Sequence, residues 1–284
     1  RDLGVYPTQV RVTGRNSRML NEYAQAYALR ALSEPERAGA SLPEVPTIDF
    51  TRFGEVERVE LSRIQKISGP RLHASWVNLP HVTQHDEADI TELEEFRKEQ
   101  KAAAKEQGVS LTPLAFIMKA VVMSLREYPS LNASLDPEGE HLILKRYYHL
   151  GFAVDTSGGL VVPVIKNVDK KGILEIAREL GEISQAARDG KLKPDQIQGA
   201  SFTISSLGSI GGSFFTPIIN APEVAILGVA RAKMAPVWQD GEFVPRLILP
   251  LSLSYDHRVI DGATAVRFTT HLSNLLSDIR RLAL

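Results

Sequence analysis

The stretch Ser252-Leu253-Ser254-Tyr255-Asp256-His257-Arg258-Val259-Ile260-Asp261-Gly262 decides how this chain is read. The strongly apolar run Leu247-Ile248-Leu249-Pro250-Leu251 precedes it and predicts a buried strand. Ala263 to Phe268 follows it, and the spacing predicts a helix from about Gly262 to Leu276. His257 therefore stands where a core strand gives way to a helix, a place from which a side chain can act on something bound in a crevice. Free imidazole titrates near about 6.5, which suits general acid–base work without much tuning. Asp261, one helical turn further on, can orient the turn or pin a cation beside it. A lone histidine at a strand end is more often a satisfied structural residue than a catalyst. The weight lies in the whole string.

Asp256-His257-Arg258-Val259-Ile260-Asp261-Gly262 resembles the His-x-x-x-Asp-Gly signature of CoA-dependent acyltransferases. More closely, it resembles the Asp-His-Arg-Val-Ile-Asp-Gly box of dihydrolipoamide acyltransferases, the core components of 2-oxo acid dehydrogenase complexes. Phe202-Thr203-Ile204-Ser205-Ser206-Leu207-Gly208 is the second informative stretch: apolar and small hydroxyl residues alternate in a strand that runs into Gly208, Gly211 and Gly212. Those glycines lack phosphate-loop spacing. A hydroxyl on a core strand is by itself structural, but the string resembles the acetyltransferase members of the family, which implies Ser205 as the oxyanion donor. Members that handle succinyl groups typically carry Thr-Asn-type residues here. Thr216 to Val229 continues the match, and the resemblance covers roughly Glu57 to the last residue. It further implies Leu227, Gly228 and Phe215 as substrate or CoA contacts, and an Arg97–Asp155 ion pair bracing the site. Read without it, Arg97 is an exposed helix charge and Asp155 a turn aspartate beside Gly158-Gly159.

Composition bounds the rest. A chain of 284 residues with 43% hydrophobic and 24% charged content is that of an ordinary globular protein with room for one large domain and a small appendage. The formal net charge of −1 gives no ground for wholesale nucleic-acid or anionic-membrane binding. With 0 Cys there is no disulfide, cysteine nucleophile or thiolate metal site, and a reducing compartment, the bacterial cytoplasm, fits. No apolar run reaches a membrane-span length and no signal-peptide pattern opens the chain. Arg1 is not a natural start, so the chain reads as a fragment.

Residues 1–32 differ in character. Leu3-Gly4-Val5 reads as a helix end, Thr13-Gly14-Arg15 as a turn, and Asn21 to Tyr27 as a short helix. Arg11, Arg15 and Arg18 cluster about the turn. Charge alone makes this a solvated basic loop. The piece resembles part of the peripheral subunit-binding module of the same acyltransferases, which implies these arginines as docking residues for an acidic partner. Most of the module's first helix is missing, and Asn16-Ser17 depart from its usual pattern. Residues 33–55, with Pro35, Pro43 and Pro46, have linker composition. The acyltransferase domain is expected over 56–284.

Within that domain, Val56 to Leu61 alternates as an exposed strand would. Pro80 to Asp89 predicts a strand with His81, Thr83 and His85 on one face; a metal site there is a remote reading, and none is expected. A capping-box-like Asp89/Glu92 opens a helix to about Gln107, and Thr112-Pro113 opens a second, apolar nearly all round and so buried. Strands are expected over 142–148, 150–155 and 160–165, and a helix over about 174–188. Asp240-Gly241 signals a tight hairpin.

The irregular alternation of strands and helices predicts an α/β sandwich rather than a βαβ repeat. The resemblance implies a chloramphenicol-acetyltransferase-like fold, trimers with active sites between subunits, and a cage, a cubic 24-mer rather than a 60-mer. His257 and Ser205 would then come from different chains. It implies acetyl transfer between dihydrolipoamide and CoA within a pyruvate dehydrogenase complex, with the decarboxylase and dihydrolipoamide dehydrogenase subunits as partners. The lipoyl group would ride on a domain outside this chain. A succinyl or branched-chain enzyme, an acyltransferase acting on a free small molecule and a non-catalytic scaffold stay open as alternatives.

Overall fold

The computed structural model describes residues 45–283. The proposed subunit-binding module, with Arg11, Arg15 and Arg18, lies outside them. The chain divides into two compact units between Val59 and Glu60. In the first, a 3-10 turn at Phe50–Arg52 is capped by Asp49, whose carboxylate accepts the Thr51 N–H at 3.1 Å. The alternation at Val56–Leu61 produces no strand, and these residues pair with none of the strands among the described residues.

The second unit begins with α1 (Arg63–Asn78), opened by a capping box between Ser62 and Gln65, then β1 (His81–Asp89), α2 (Thr91–Glu106) and α3 (Pro113–Glu127). Two short hairpins follow the helices, β2 (Ala133–Leu135) with β3 (Leu142–Leu144), and, after β4 (Leu150–Phe152), β5 (Val154–Thr156) with β6 (Gly159–Val161). β7 (Val164–Ile165), α4 (Ile173–Arg188), β8 (Phe202–Ser206), β9 (Ala225–Val229), β10 (Lys233–Gln239), β11 (Glu242–Asp256) and α5 (Gly262–Ser277) complete the chain. The strand expected over 160–165 is broken at Pro163, which has no N–H for a ladder; its carbonyl instead accepts the Phe152 N–H at 2.9 Å. Asp89 opens α2 without a capping box, accepting the Thr91 N–H and hydroxyl instead.

Among the described residues, seven strands form one sheet in the order β1-β11-β9-β8-β4-β7, with β10 paired to β11. The β4–β8 and β8–β9 pairs are parallel and the others antiparallel. The β10–β11 hairpin turns at Asp240-Gly241, both at positive φ (51° and 96°), as a two-residue hairpin turn needs.

The two faces of the sheet differ because the strands alternate. Phe202 and Ile204, Ala225, Leu227 and Val229, and Leu249, Leu251, Leu253 and Tyr255 point into the main core with α3, α4 and α5. α3 is buried nearly all round, as its composition requires, and α5 contributes Phe268, Leu272 and Leu276, each 0% exposed. Full burial of such a side chain contributes about 2 kcal/mol. The opposite face carries Thr203 and Ser205, Gly228, Ser252 and Ser254, and His81, Thr83 and His85. The β8–β9 connection, 207–224, returns across that face, where Ile219 packs with Leu79 and Ile226.

Candidate active site

His257 follows the last residue of β11. Its backbone N–H donates to the Pro80 carbonyl at 3.0 Å, and the carbonyl of Asp256 accepts the N–H groups of Val259 and Ile260, each at 3.0 Å. The chain is thus closed into a tight turn with an exposed imidazole at its crest, 5.8 Å from the Tyr255 ring centroid. Asp261 is the N-cap of α5: its carboxylate accepts the Thr264 N–H at 2.7 Å. That hydrogen bond holds its carboxyl below the usual carboxylate range, with the charges of Arg267 and His257 adding to the effect. Asp261 fixes the helix start rather than the imidazole.

Two neighbours of His257 that the motif contains had no role in the sequence reading. Asp256 is 1% exposed, and its carboxylate accepts from the Arg258 backbone N–H (3.0 Å), from Nε (3.0 and 3.1 Å) and from Nη2 (2.7 Å). The Asp256 carboxylate in turn raises the Arg258 guanidinium above its ordinary value. Opposite charges on either side of an exposed histidine were the available signal.

Ser205 lies on β8. In register across the sheet it is level with Gly228 of β9, Ser252 of β11 and His85 of β1. The His85 ring nitrogen Nδ1 is 2.9 Å from Ser252 Oγ, and the ring meets that of Phe214 at a tilt, centroids 5.0 Å apart. The Phe215 ring covers Gly228 so closely that a Cβ there would lie 2.8 Å from Cζ. Glycine is thus required where the aromatic ring meets the sheet, and Phe215 with Gly228 joins the Ser205 row. Leu227 does not: its side chain is 0% exposed and belongs to the helix-covered core, because a one-residue step on a strand reverses the face.

Ser205 and His257 are far apart in one chain. From the Ser205 row, His257 is five residues further along β11, and two strand spacings separate β8 from β11. At about 3.3 Å per residue and about 4.8 Å per strand, the two Cα atoms are roughly 19 Å apart. They cannot engage one carbonyl group from the same subunit.

The Arg97–Asp155 ion pair does not form. Arg97 forks onto Glu94, Nε and Nη2 each at 2.7 Å from a carboxylate oxygen, while Nη1 donates to the Leu111 carbonyl at 2.9 Å. Glu94 is three residues away on the same helix, so the pair closes without ordering any distant segment. Asp155, on β5, instead lines with Glu94, Arg188, Ser206 and Arg231 a cleft of about 870 Å³ at the ends of β8 and β9. His81 and His85 do not converge on a metal. The first spans Leu79 and Ile219, with Nδ1 at 2.7 Å from the Leu79 carbonyl and Nε2 accepting the Ile219 N–H at 3.0 Å.

Glu223, with no sequence signal, proves to be buried on this polar face. It is 2% exposed and accepts from Thr203 Oγ1 and Asn220 Nδ2, each at 2.9 Å, while Oε2 has no partner. Burial pushes its carboxyl up to about 7 against the pull of those two hydrogen bonds and of the Lys145 charge.

A helix-backed sheet presents a histidine on a terminal turn and a serine two strands away, side chains that can serve as a general base and a hydrogen-bond donor. Residues 53–284 match the family model described as 2-oxoacid dehydrogenases acyltransferase (catalytic domain), and the chain belongs to that family. Among curated relatives, the dihydrolipoyllysine-residue acetyltransferase components of the pyruvate dehydrogenase complexes of Cupriavidus necator and Pseudomonas aeruginosa are 54% and 52% identical. Each alignment covers 100% of this chain and 53% of the relative, so the chain spans about half the length of these proteins. Two solved structures each superpose with a TM-score of 0.84 at 58% identity, over 86% of this chain and all of theirs. One is the Azotobacter vinelandii dihydrolipoamide acetyltransferase, described as an investigation of a serine, a histidine and an asparagine in its catalytic mechanism. The other is described as the cubic core of the pyruvate dehydrogenase multienzyme complex. The expected α/β sandwich, a mixed sheet backed by helices, is the fold observed. The three residues of the Azotobacter enzyme are spaced as Ser205, His257 and Asp261 are here, with Asp261 standing where that enzyme has asparagine. Among the described residues no helix is long and apolar enough to cross a membrane.

Proposed function

We propose that this chain transfers an acetyl group between the thiols of CoA and dihydrolipoamide, as the core-forming acyltransferase of a pyruvate dehydrogenase complex. The observation that carries the reading is the pairing of an exposed His257 on a rigid turn with Ser205 on a strand too distant to serve it in the same chain. A second copy then supplies the serine, and the site lies between subunits. Exposed apolar side chains support such an assembly: Leu72 and Trp76 on α1, and Ile143 on β3, are left exposed among the described residues.

In the proposed reaction His257 takes the proton of the dihydrolipoamide thiol as its sulfur attacks the acetyl-CoA carbonyl. A thiol with a pKa near about 8.5 is only a few per cent ionised at neutral pH, so a base at the sulfur matters. Ser205 of the neighbouring copy donates a hydrogen bond to the tetrahedral oxyanion. Collapse breaks the carbon–sulfur bond to CoA, whose sulfur recovers the proton from the imidazolium. The two thiols exchange the acyl group directly, with no acyl-enzyme. CoA is assigned to the face of the sheet that carries Ser205, where Phe215 packs on Gly228. The lipoyl arm comes from a domain outside this chain, and the decarboxylase and dihydrolipoamide dehydrogenase are the partners. The assembly is a trimer-based cubic cage, and its bacterial relatives favour the bacterial cytoplasm. Residues 1–32, 33–55 and 56–284 divide as partial docking module, linker and catalytic domain, with Arg11, Arg15 and Arg18 as docking residues.

The test is thioester formation on free dihydrolipoamide from acetyl-CoA beside succinyl-CoA. Preference for acetyl supports the proposal. Preference for succinyl makes this the acyltransferase of a related complex, and no transfer by a folded oligomer makes it a scaffold.

A further inference from the structure

We infer that Arg258 is a positioning residue for the reaction, acting through Asp256 to hold the turn on which His257 is presented; this rests on His257 being the base. Asp256, His257 and Arg258 are consecutive, and the outer two side chains close on each other. All four side-chain hydrogen bonds of the Asp256 carboxylate come from Arg258, one through the backbone and three through the guanidinium. Asp256 is buried at 1% exposure, whereas the Arg258 side chain is 46% exposed, so the arginine reaches in from the surface to neutralise a buried charge.

The imidazole beside Asp256 on the neighbouring strand is already committed. His81 is level with Asp256 across the β1–β11 ladder, but both its nitrogens are occupied by Leu79 and Ile219. Without Arg258 the carboxylate would be a buried charge lacking a cation, and the turn would open to hydrate it. The Asp256 carbonyl accepts both N–H groups that close the turn, so movement of Asp256 carries His257 with it. The planar fork matters as well as the charge. Nε and Nη2 engage the carboxylate together, a geometry lysine lacks.

Three variants separate the possibilities: Arg258→Lys, Arg258→Ala and His257→Ala, each assayed for acetyl transfer with KM for both thiols, thermal midpoint and oligomer size. The expected result for Arg258→Lys is a fall in kcat of about tenfold to a hundredfold, as for an ångström-scale misplacement of a catalytic group. KM, oligomer size and thermal midpoint stay near the parent values. Added guanidinium ion should restore part of kcat to Arg258→Ala but not to His257→Ala. If Arg258→Ala does not fold, Arg258→Lys alone decides. Parent-like kcat in Arg258→Lys beside an inactive His257→Ala overturns the positioning role while leaving the base intact. A rise in KM at unchanged kcat overturns it too, since Arg258 would then be touching substrate. An active His257→Ala removes instead the reading on which the inference stands.

Discussion

Glu223→Gln should remove a pH dependence of stability. Glu223 is buried, with one carboxylate oxygen unpartnered, and its carboxyl is pushed up to about 7 from an ordinary value of 4.5. The folded state therefore binds a proton that the unfolded chain has released between those two values. Stability from this group is fully present below about pH 4.5, falls as pH rises, and is lost above about pH 7. The difference corresponds to about 3 kcal/mol, of which about 2 kcal/mol falls between pH 5.5 and 8.5. Glutamine keeps an oxygen for Thr203 and Asn220 and carries no charge to desolvate. Chemical unfolding followed by the fluorescence of Trp76 and Trp238 at both pH values, at fixed subunit concentration, reads the effect. The parent should lose about 2 kcal/mol more than Glu223→Gln on going to pH 8.5. Parallel profiles would refute the reasoning and mean that Glu223 is ionised in the fold at neutral pH, with Lys145 as its counter-ion.

Other substitutions test the site more locally. His257→Ala should keep the oligomer and remove most turnover, because the imidazole is exposed and packs nothing essential; acetyl transfer beside size-exclusion chromatography checks both. Ser205→Ala should cost on the order of a hundredfold in kcat with little change in KM, as for loss of one oxyanion donor. Gly228→Ala should displace the Phe215 ring, since a Cβ would sit 2.8 Å from Cζ, and should raise KM for a thiol substrate more than it lowers stability. Asp261→Asn should retain the α5 cap and most activity, whereas Asp261→Ala should lower stability by about 1 kcal/mol, measured by chemical unfolding.

The strand–turn–helix about His257 was legible because an apolar run, a polar turn and a capped amphipathic helix each carry a local signal. So were the buried α3, from its all-round apolar composition, and the Asp240-Gly241 hairpin. The Ser205 row was less so. Its neighbours Gly228, Ser252 and His85 are scattered through the chain and become neighbours only through register. The same alternation separates Gly228 from Leu227, which the sequence reading had grouped together. Arg97 was matched to Asp155 by resemblance, but Glu94 one helical turn away satisfies it first. Glu223 follows Pro222 in the connection before β9 with nothing to mark it, since its burial depends on Thr203 of β8 meeting it across the sheet and on the local turn that brings Asn220 to it.

The most direct measurement is complementation between two inactive variants. His257→Ala and Ser205→Ala are co-expressed, and acetyl transfer by the mixed oligomers is compared with that of each variant alone. If one subunit supplies the base and its neighbour the oxyanion donor, random assembly leaves about a quarter of the sites with both groups intact, and activity returns toward that fraction. Mixed oligomers no more active than the separate variants would contradict a site shared in this way.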